Sequence, residues 1–134
     1  MDVSRIMQSD VITVSFDTSV RAAAALMEAC DIGVLPVCEN GRPTGMVTDR
    51  DIVAKLVSKT GLDADVPVGE IMSQPIVDCS ANDSIKHIAG IMGDHQIRRL
   101  IVRGDDGQMV GIVSLDDIAR DASEVIAGEV SRCP

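Results

Sequence analysis

The chain has 134 residues, which is enough for one ordinary domain or for two small halves that share a core. Its composition, 46% hydrophobic and 25% charged, is typical of a globular protein and excludes a largely disordered chain. The net charge of −9 argues against a nucleic-acid-binding surface, because phosphate backbones are bound by clustered Lys and Arg. We expect a cytoplasmic protein with no nucleic-acid or membrane partner, since no apolar stretch approaches the length of a membrane span and no secretory signal is recognisable.

Cysteine and aromatic content limits the kinds of site that the chain can form. No cysteine lies in a C-x-x-C pair or at zinc-finger spacing from a histidine. We therefore predict reduced thiols and no metal site; the alternatives are a Cys30–Cys38 disulfide or a metal site that uses His87 or His95. With one Phe and no Trp or Tyr, any planar ligand has to be held between aliphatic side chains. The cysteines are Cys30, Cys38, Cys79 and Cys133.

The first part of the chain predicts elements in the order β-α-β-β-α. An apolar strand, Val11 to Val14, leads into the polar cluster 17–19, which can supply a helix N-cap. Apolar side chains then recur with helical spacing from Val20 to Met27. Two strands joined by the tight turn Asn40-Gly41 come next, and a final helix begins at about Asp49. These two strands are Val34 to Cys38 and Thr44 to Thr48.

The second part of the chain repeats this order. Val3-Ser-Arg-Ile-Met7 aligns with Val68-Gly-Glu-Ile-Met72, an offset of 65 residues, and one extra residue in the second hairpin makes the offset 66 after it. The opening strand is Ile76 to Cys79, the cluster 82–84 can cap the next helix, and the final helix begins at about Leu115. The two strands joined by the turn Asp106-Gly107 are Arg99 to Arg103 and Val110 to Ser114.

The predicted fold class is α/β (α+β), with two β-α-β-β-α repeats packed about a pseudo-two-fold axis. One unit of about 60 residues buries too little surface to be stable alone, whereas two copies can share a core. We place the first repeat at 1–60, a linker at 61–67, the second repeat at 68–122, and a C-terminal helix end or tail at 123–134.

Each repeat ends in a polar motif inside an apolar run, GMVTDRDI from Gly45 and GIVSLDDI from Gly111. Both motifs keep a glycine, a Thr or Ser, and an aspartate three residues after the hydroxyl. The first motif's other aspartate, Asp49, is replaced by Leu115 in the second, which argues against a paired-carboxylate catalytic site and against a hard-metal site. We predict that the chain is not an enzyme.

Two interpretations of the motif remain open. In the first, Thr48 with Asp51, and Ser114 with Asp117, are capping pairs that only start a helix. In the second, the hydroxyl and the helix N-terminus bind a phosphate, and the aspartate accepts from the two hydroxyls of a ribose. The glycine of each motif would then let the ligand approach the backbone closely. The presence of the same device in both repeats favours the second interpretation.

The motifs taken together resemble a known family. The two terminal motifs, IMQSDVITV and IMSQPIVDC before each first helix, and DIGVLPV and QIRRLIV on each second strand resemble a pair of cystathionine-β-synthase (CBS) domains, also called a Bateman module. The resemblance runs from about Val3 to Ala122 and is closest to small stand-alone CBS-pair proteins, including the hypoxic-response type. It implies a non-enzymatic energy or ligand sensor that binds AMP, ADP, ATP, NAD(H) or S-adenosylmethionine as a regulatory ligand. It also implies a homodimer formed through helices, no obligatory cofactor, and an unknown protein partner.

The resemblance implies roles for particular residues. Asp51 and Asp117 would hold ribose, while Thr48 and Ser114 would reach phosphate. The adenine pockets would be lined by a stretch before each first helix and by an apolar residue after it. These residues are Val11, Ile12, Thr13 and Ile32 in the first repeat, and Ile76, Val77, Asp78 and Ile97 in the second.

The two predicted sites differ in charge. Arg98 and Arg99 stand where the first repeat has Gly33-Val34, and an arginine there can bond a phosphate, the alternative being a solvated pair at a strand edge. Arg50 stands in the first motif where the second has Asp116, which would repel a phosphate. We expect the two sites to bind ligand with unequal affinities, and the sequence does not predict which site is filled. The alternative function is a structural or interaction dimer module with degenerate ligand sites, tuned by a thiol or a metal.

Overall fold

The computed structural model describes residues 2–74 and 76–121. The chain divides into two compact units: a middle unit, Ile12–Ile76, and a terminal unit, in which Met1–Val11 joins the chain from Val77 onward. The predicted tail at 123–134, the last residue of the predicted second repeat, and Cys133 lie outside the described residues. Among the described helices, none is long and apolar enough to cross a membrane.

The middle unit consists of two helices and a two-stranded antiparallel sheet. Its elements are α1 (Val20–Cys30), β1 (Val34–Glu39), β2 (Arg42–Thr48) and α2 (Asp49–Thr60). The predicted N-cap cluster supplies Ser19, whose side chain accepts from the Ala22 N–H at 3.0 Å. The predicted tight turn is confirmed, because Asn40 and Gly41 both have positive φ, 53° and 78°, as a two-residue hairpin requires.

The predicted opening strand of the middle unit is wrong in extent. In place of a strand from Val11 to Val14, only Val14 pairs, through a single parallel bridge to Val37. The N–H of Val14 donates to the Pro36 carbonyl at 3.1 Å, and the N–H of Cys38 donates to the Val14 carbonyl at 2.9 Å. The next rung toward the N-terminus needs an N–H from Pro36, which proline lacks. Pro36 therefore prevents the ladder from extending toward Ile12, and on the other side the Phe16 N–H donates to the Glu39 side chain instead of continuing the ladder.

The terminal unit has a three-stranded sheet in the order β3-β4-β5, with the first pair parallel and the second antiparallel. Its elements are β3 (Asp78–Ser80), α3 (Ile85–His95), β4 (Arg99–Arg103) and β5 (Met109–Ser114), and a last helix is described over 115–121. Ile101 is the equivalent of Pro36 in this unit and has a backbone N–H. The opening strand β3 forms three consecutive pairs with β4.

Each unit has its own apolar core. The core of the middle unit includes Val68 and Ile71, which begin the second sequence repeat, while the core of the terminal unit includes Val3 from the first. The compact units are therefore offset from the sequence repeats by their opening segments. The mixed α and β fold class is confirmed, and the pseudo-two-fold axis stays a sequence-based prediction.

Candidate functional site

The first terminal motif forms a complete capping box at the start of α2. The Thr48 hydroxyl accepts from the Asp51 N–H at 3.0 Å, and Asp51 Oδ2 accepts from the Thr48 N–H at 3.0 Å. The side chain of Asp51 is only 13% exposed. A strand end and a helix start are thus joined by a carboxylate held in one orientation.

The second terminal motif forms the same box. Asp117 Oδ2 accepts from the Ser114 N–H at 2.9 Å, and the Ser114 hydroxyl accepts from the Asp117 N–H at 3.0 Å. Asp117 is 7% exposed and is the one buried charged residue of the described chain. The capping interpretation is confirmed for both motifs. Capping engages Oδ2 and a hydroxyl lone pair, which leaves Oδ1 and the hydroxyl proton of each pair for other partners.

The two aspartates differ in what surrounds their second oxygen. Oδ1 of Asp51 lies 3.2 Å from the Lys55 ammonium and 3.2 Å from the Ser73 hydroxyl. Oδ1 of Asp117 lies 3.5 Å from the guanidinium of Arg120, whose side chain is 67% exposed. Sequence reasoning missed Ser73, because nothing in the motif marks a residue that contacts it from 22 positions away. It also missed Lys55, although local spacing indicates an i,i+4 pair with Asp51.

The backbone amides at the start of α2 already have acceptors. The Asp49 N–H donates to the Gly33 carbonyl at 3.0 Å, and the Arg50 N–H donates to Asp49 Oδ1 at 2.8 Å. Since the Asp51 N–H is taken by the capping box, all three leading amides of this helix are engaged. A phosphate at this helix start would have to displace the carboxylate of Asp49.

At the glycine of each motif, the space that a Cβ would occupy is filled. A Cβ on Gly45 would lie 2.4 Å from the Met72 sulfur, and one on Gly111 would lie 2.7 Å from both the Met7 sulfur and the Gln8 carbonyl oxygen. Close approach of a ligand to the backbone at these two positions stays a prediction. Each glycine makes room for a methionine from the opening segment of a repeat.

The predicted adenine-lining residues fall on both sides of the unit boundary. Val11, Val77, Asp78 and Ile97 belong to the terminal unit, and Ile12, Thr13, Ile32 and Ile76 belong to the middle unit. Ile32 and Ile97 are partly buried against the core of their own unit. The carboxylate of Asp78 is paired with the Arg103 guanidinium on the neighbouring strand. A shared pocket for these residues stays a prediction.

The predicted phosphate-binding arginines lie at the surface. Arg98 makes a loose 3.8 Å contact with Asp116, and their side chains are 70% and 81% exposed, so this pair contributes little to stability. Asp116 is thus partly neutralised by an arginine of its own unit. Arg99 at the start of β4 and Arg50 on α2 are also exposed.

Cysteines and histidines form no cluster in the described part of the chain. Cys30, Cys38 and Cys79 take part in no disulfide, so the alternative Cys30–Cys38 disulfide is not formed. No three His, Cys, Asp or Glu side chains among the described residues lie together as a metal site would require. His87 borders an open hollow of about 410 Å³ along α3, which contains none of the predicted site residues. The hollow is lined by Ser84, Lys86, His87, Gly90, Ile91 and Asp94.

Comparison with characterised sequences identifies relatives over most of the chain. A CBS domain-containing protein of Bacillus subtilis, YhcV, is 41% identical over 84% of this chain and 79% of its own length. Hypoxic response protein 1 of Mycobacterium tuberculosis is 40% identical over 89% of this chain and 83% of its own length.

The chain is also similar to solved structures. Hypoxic Response Protein I, solved with two coordinated zinc ions, is similar with a TM-score of 0.80 and 39% identity over 90% of this chain and 98% of that one. The CBS domain pair of protein MJ0100, solved with 5′-methylthioadenosine and S-adenosylmethionine, is similar with a TM-score of 0.79 and 26% identity over 96% of this chain and 98% of that one. The family model for the CBS domain matches twice, at residues 3–58 and 68–124. The chain belongs to the CBS domain family and carries two copies of the domain.

Proposed function

We propose that this chain is a non-enzymatic regulatory module that binds adenosine-containing ligands through its two terminal motifs. Asp51 and Asp117 accept hydrogen bonds from ribose hydroxyls, while the hydroxyls of Thr48 and Ser114 donate to a phosphate or another anionic group. The observation that carries the proposal is the repeated capping box, because it holds each aspartate rigidly while using Oδ2 alone for the backbone.

A relative supports the ligand class. Both 5′-methylthioadenosine and S-adenosylmethionine, bound in the CBS pair of MJ0100, contain adenosine with its vicinal ribose hydroxyls, and neither contains a phosphate. A carboxylate that accepts from this diol therefore suits every ligand of the class. The contact between a motif hydroxyl and phosphate applies only to nucleotides such as AMP, ADP, ATP and NAD(H).

The remaining contacts of the proposal concern the base and the ligand charge. Aliphatic side chains and backbone groups enclose the adenine, which fits a chain that has one Phe and no Trp or Tyr. Exposed arginines supply cations for nucleotide phosphates. The base-enclosing residues are Val11, Ile12, Thr13, Ile32, Ile76, Val77, Asp78 and Ile97, and the cations are Arg50, Arg98 and Arg99.

Regulation requires that the ligand bind two states of the protein with different affinity. We propose a cytoplasmic homodimer in which ligand binding changes a surface read by another protein. Val53 and Val57 support the dimer, because they lie one turn apart on α2 and are 73% and 60% exposed. Native mass spectrometry of freshly purified protein reports both the oligomer and any ligand retained from the cell.

Thermal unfolding with AMP, ATP, NADH or S-adenosylmethionine near 1 mM tests the ligand proposal. A ligand present at one hundred times its Kd stabilises the folded state by about 2.7 kcal/mol. Asp51→Asn and Asp117→Asn are the informative variants, because asparagine keeps one oxygen for the capping N–H but puts an amide donor where the ribose needs an acceptor. We expect the shift to shrink in both variants, with the melting of each variant without ligand as its own reference. Absence of a shift with all four ligands would contradict the proposal.

The second candidate function is an interaction module with degenerate ligand sites. It is favoured by the zinc ions of Hypoxic Response Protein I, which is 39% identical. It predicts that a chelator or a thiol reagent changes the oligomer, and that both asparagine variants respond to nucleotides as the wild type does.

A further inference from the structure

We propose that Ser73 and Lys55 act as an internal substitute for ligand at the first terminal motif, so that the motif of Asp117 binds ligand first and the motif of Asp51 binds second. The inference rests on the proposed function and adds the order in which its two motifs bind ligand. It names two specificity-determining residues that belong to neither motif.

The side chains of Asp51, Lys55 and Ser73 close a three-membered ring of contacts. The Ser73 hydroxyl lies 3.2 Å from Oδ1 and 3.3 Å from Oδ2 of Asp51, so it spans both carboxylate oxygens. The Lys55 ammonium lies 3.2 Å from Asp51 Oδ1 and 3.2 Å from the Ser73 hydroxyl. With the Thr48 N–H on Oδ2, both oxygens of the carboxylate have a donor.

The ring places a hydroxyl where a ribose hydroxyl would bond. A ribose diol offers two O–H donors to one carboxylate, and Ser73 offers one O–H donor to the same pair of oxygens. A ligand must therefore exchange an existing hydrogen bond for its own, which removes most of the gain from that contact. The Lys55 side chain is 28% exposed, so its ion pair with Asp51 is partly shielded from water.

The backbone holds Ser73 in place beside the motif. Its N–H donates to the Met46 carbonyl at 2.8 Å, and its carbonyl accepts from the Met46 N–H at 3.3 Å. Ser73 is exposed, and its backbone pairing with β2 fixes its position beside Asp51.

The second motif provides a matched comparison. Gln8 occupies the position of Ser73 in the repeat and makes the same two-way backbone pairing, with Ile112, at 2.8 and 2.9 Å. Within the described residues, no hydrogen bond joins the Gln8 side chain to Asp117. The position of Lys55 is taken by Asp121, which cannot donate as an ammonium does. Asp117 therefore keeps Oδ1 for a ligand, apart from the 3.5 Å contact of the exposed Arg120.

Calorimetric titration of the full chain with AMP, and separately with S-adenosylmethionine, tests the order of binding. We expect two affinities in the wild type, with Asp117→Asn removing the tighter one and Asp51→Asn removing the weaker one. Ser73→Ala should strengthen the weaker site about tenfold, because the ligand no longer displaces a hydrogen bond to a charged group. Lys55→Met is the second variant and should act in the same direction.

Gln8→Ala is the matched control and should leave both affinities unchanged, and a thermal melt of each variant confirms that it is folded. If ligand binds through the two aspartates but Ser73→Ala and Lys55→Met leave the weaker affinity as it was, the inference is wrong and the proposed function stands. Loss of the tighter site in Asp51→Asn instead of Asp117→Asn would also overturn it. If neither ligand binds any of these proteins, the proposed function fails and the inference fails with it.

Discussion

The middle and terminal units contain the same capping box, but they surround its aspartate with different partners. Asp51 is enclosed by Lys55 and Ser73, whereas Asp117 is more deeply buried and its Oδ1 lies 3.5 Å from the exposed Arg120. The box is formed by the backbone and by two side chains of the motif, and both repeats keep it. The contacts of the aspartate's second oxygen are made by residues outside the motif, and these residues differ between the repeats. A repeated motif thus fixes the position and backbone contacts of its aspartate, while residues outside the motif decide what contacts the second oxygen.

The same contrast appears in the packing below the motifs. The three atoms nearest to a Cβ on Gly45 all belong to the flexible side chain of Met72, while a Cβ on Gly111 lies against both Met7 and the carbonyl oxygen of Gln8. A side chain can rotate away from an added methyl group, but a hydrogen-bonded backbone carbonyl cannot do so without breaking its pairing. The two glycines therefore differ in how strictly glycine is required.

The largest expected effect comes from adding a methyl group at these glycines. We predict that Gly111→Ala lowers the free energy of unfolding by about 2–3 kcal/mol, and Gly45→Ala by about 1 kcal/mol, because only the first drives a Cβ to 2.7 Å from a backbone oxygen. Urea unfolding of the two variants measures the difference. Equal losses, or a larger loss for Gly45→Ala, would show that the carbonyl of Gln8 moves as freely as a methionine side chain.

Gly90→Ala on α3 is the control for the general effect of replacing glycine. A Cβ at this position meets no atom within 4 Å, and alanine favours a helix over glycine by about 0.8–1 kcal/mol. We therefore expect this variant to be slightly more stable than the wild type, the opposite sign to the two motif variants.

The next effect concerns Cys79, which stands in the terminal unit where Val14 stands in the middle unit. Burial, and then the carboxylates of Asp83 and Asp78, raise the pKa of the Cys79 thiol from 9.0 to about 11. The unfolded chain loses this proton above about pH 9 while the folded chain keeps it to about pH 11, so stability falls across that window and is unaffected below it. In Cys79→Val, we predict that this fall is smaller than in the wild type by about 2 kcal/mol at pH 11.

Urea unfolding under reducing conditions between pH 8 and pH 11 checks the prediction for Cys79. Cys30→Ser is the control, because Cys30 is exposed and its substitution should leave the alkaline fall in place. A parallel fall in the wild type and in Cys79→Val would mean that other groups cause it.

Much of the fold follows from local patterns in the sequence. Helix starts at Ser19 and Ser84, the Asn40-Gly41 turn, and the strand-to-helix junctions at Thr48 and Ser114 depend on residues close together in the chain. Such features are predictable because capping and turn geometry are satisfied within a few residues. The position of the two site aspartates is predictable for the same reason.

The features that the sequence does not predict depend on contacts between distant segments. Alignment of the repeats shows that Val3 matches Val68, but it does not show that each joins the core of the compact unit that holds the other repeat's helices and strands. The contact of Ser73 with Asp51 is of the same kind, since it is created by pairing of Ser73 with Met46. Local spacing carries no information on either contact.

The smallest expected effect tests the opening strand of the middle unit, which was predicted too long; the opening strand of the terminal unit was also predicted to begin two residues too early, at Ile76 instead of Asp78. Pro36→Val gives residue 36 an N–H that faces the segment just before Val14 in the middle unit. Ile101 supplies the equivalent N–H in the terminal unit. We predict that this N–H donates to the Ile12 carbonyl and exchanges with solvent more slowly than an unprotected amide, as measured by NMR hydrogen exchange. Stability should change by less than about 1 kcal/mol, because the new hydrogen bond is offset by the greater freedom of the unfolded chain without proline. Rapid exchange at position 36 would mean that the missing N–H is not what ends the ladder, and that the two opening strands differ for another reason.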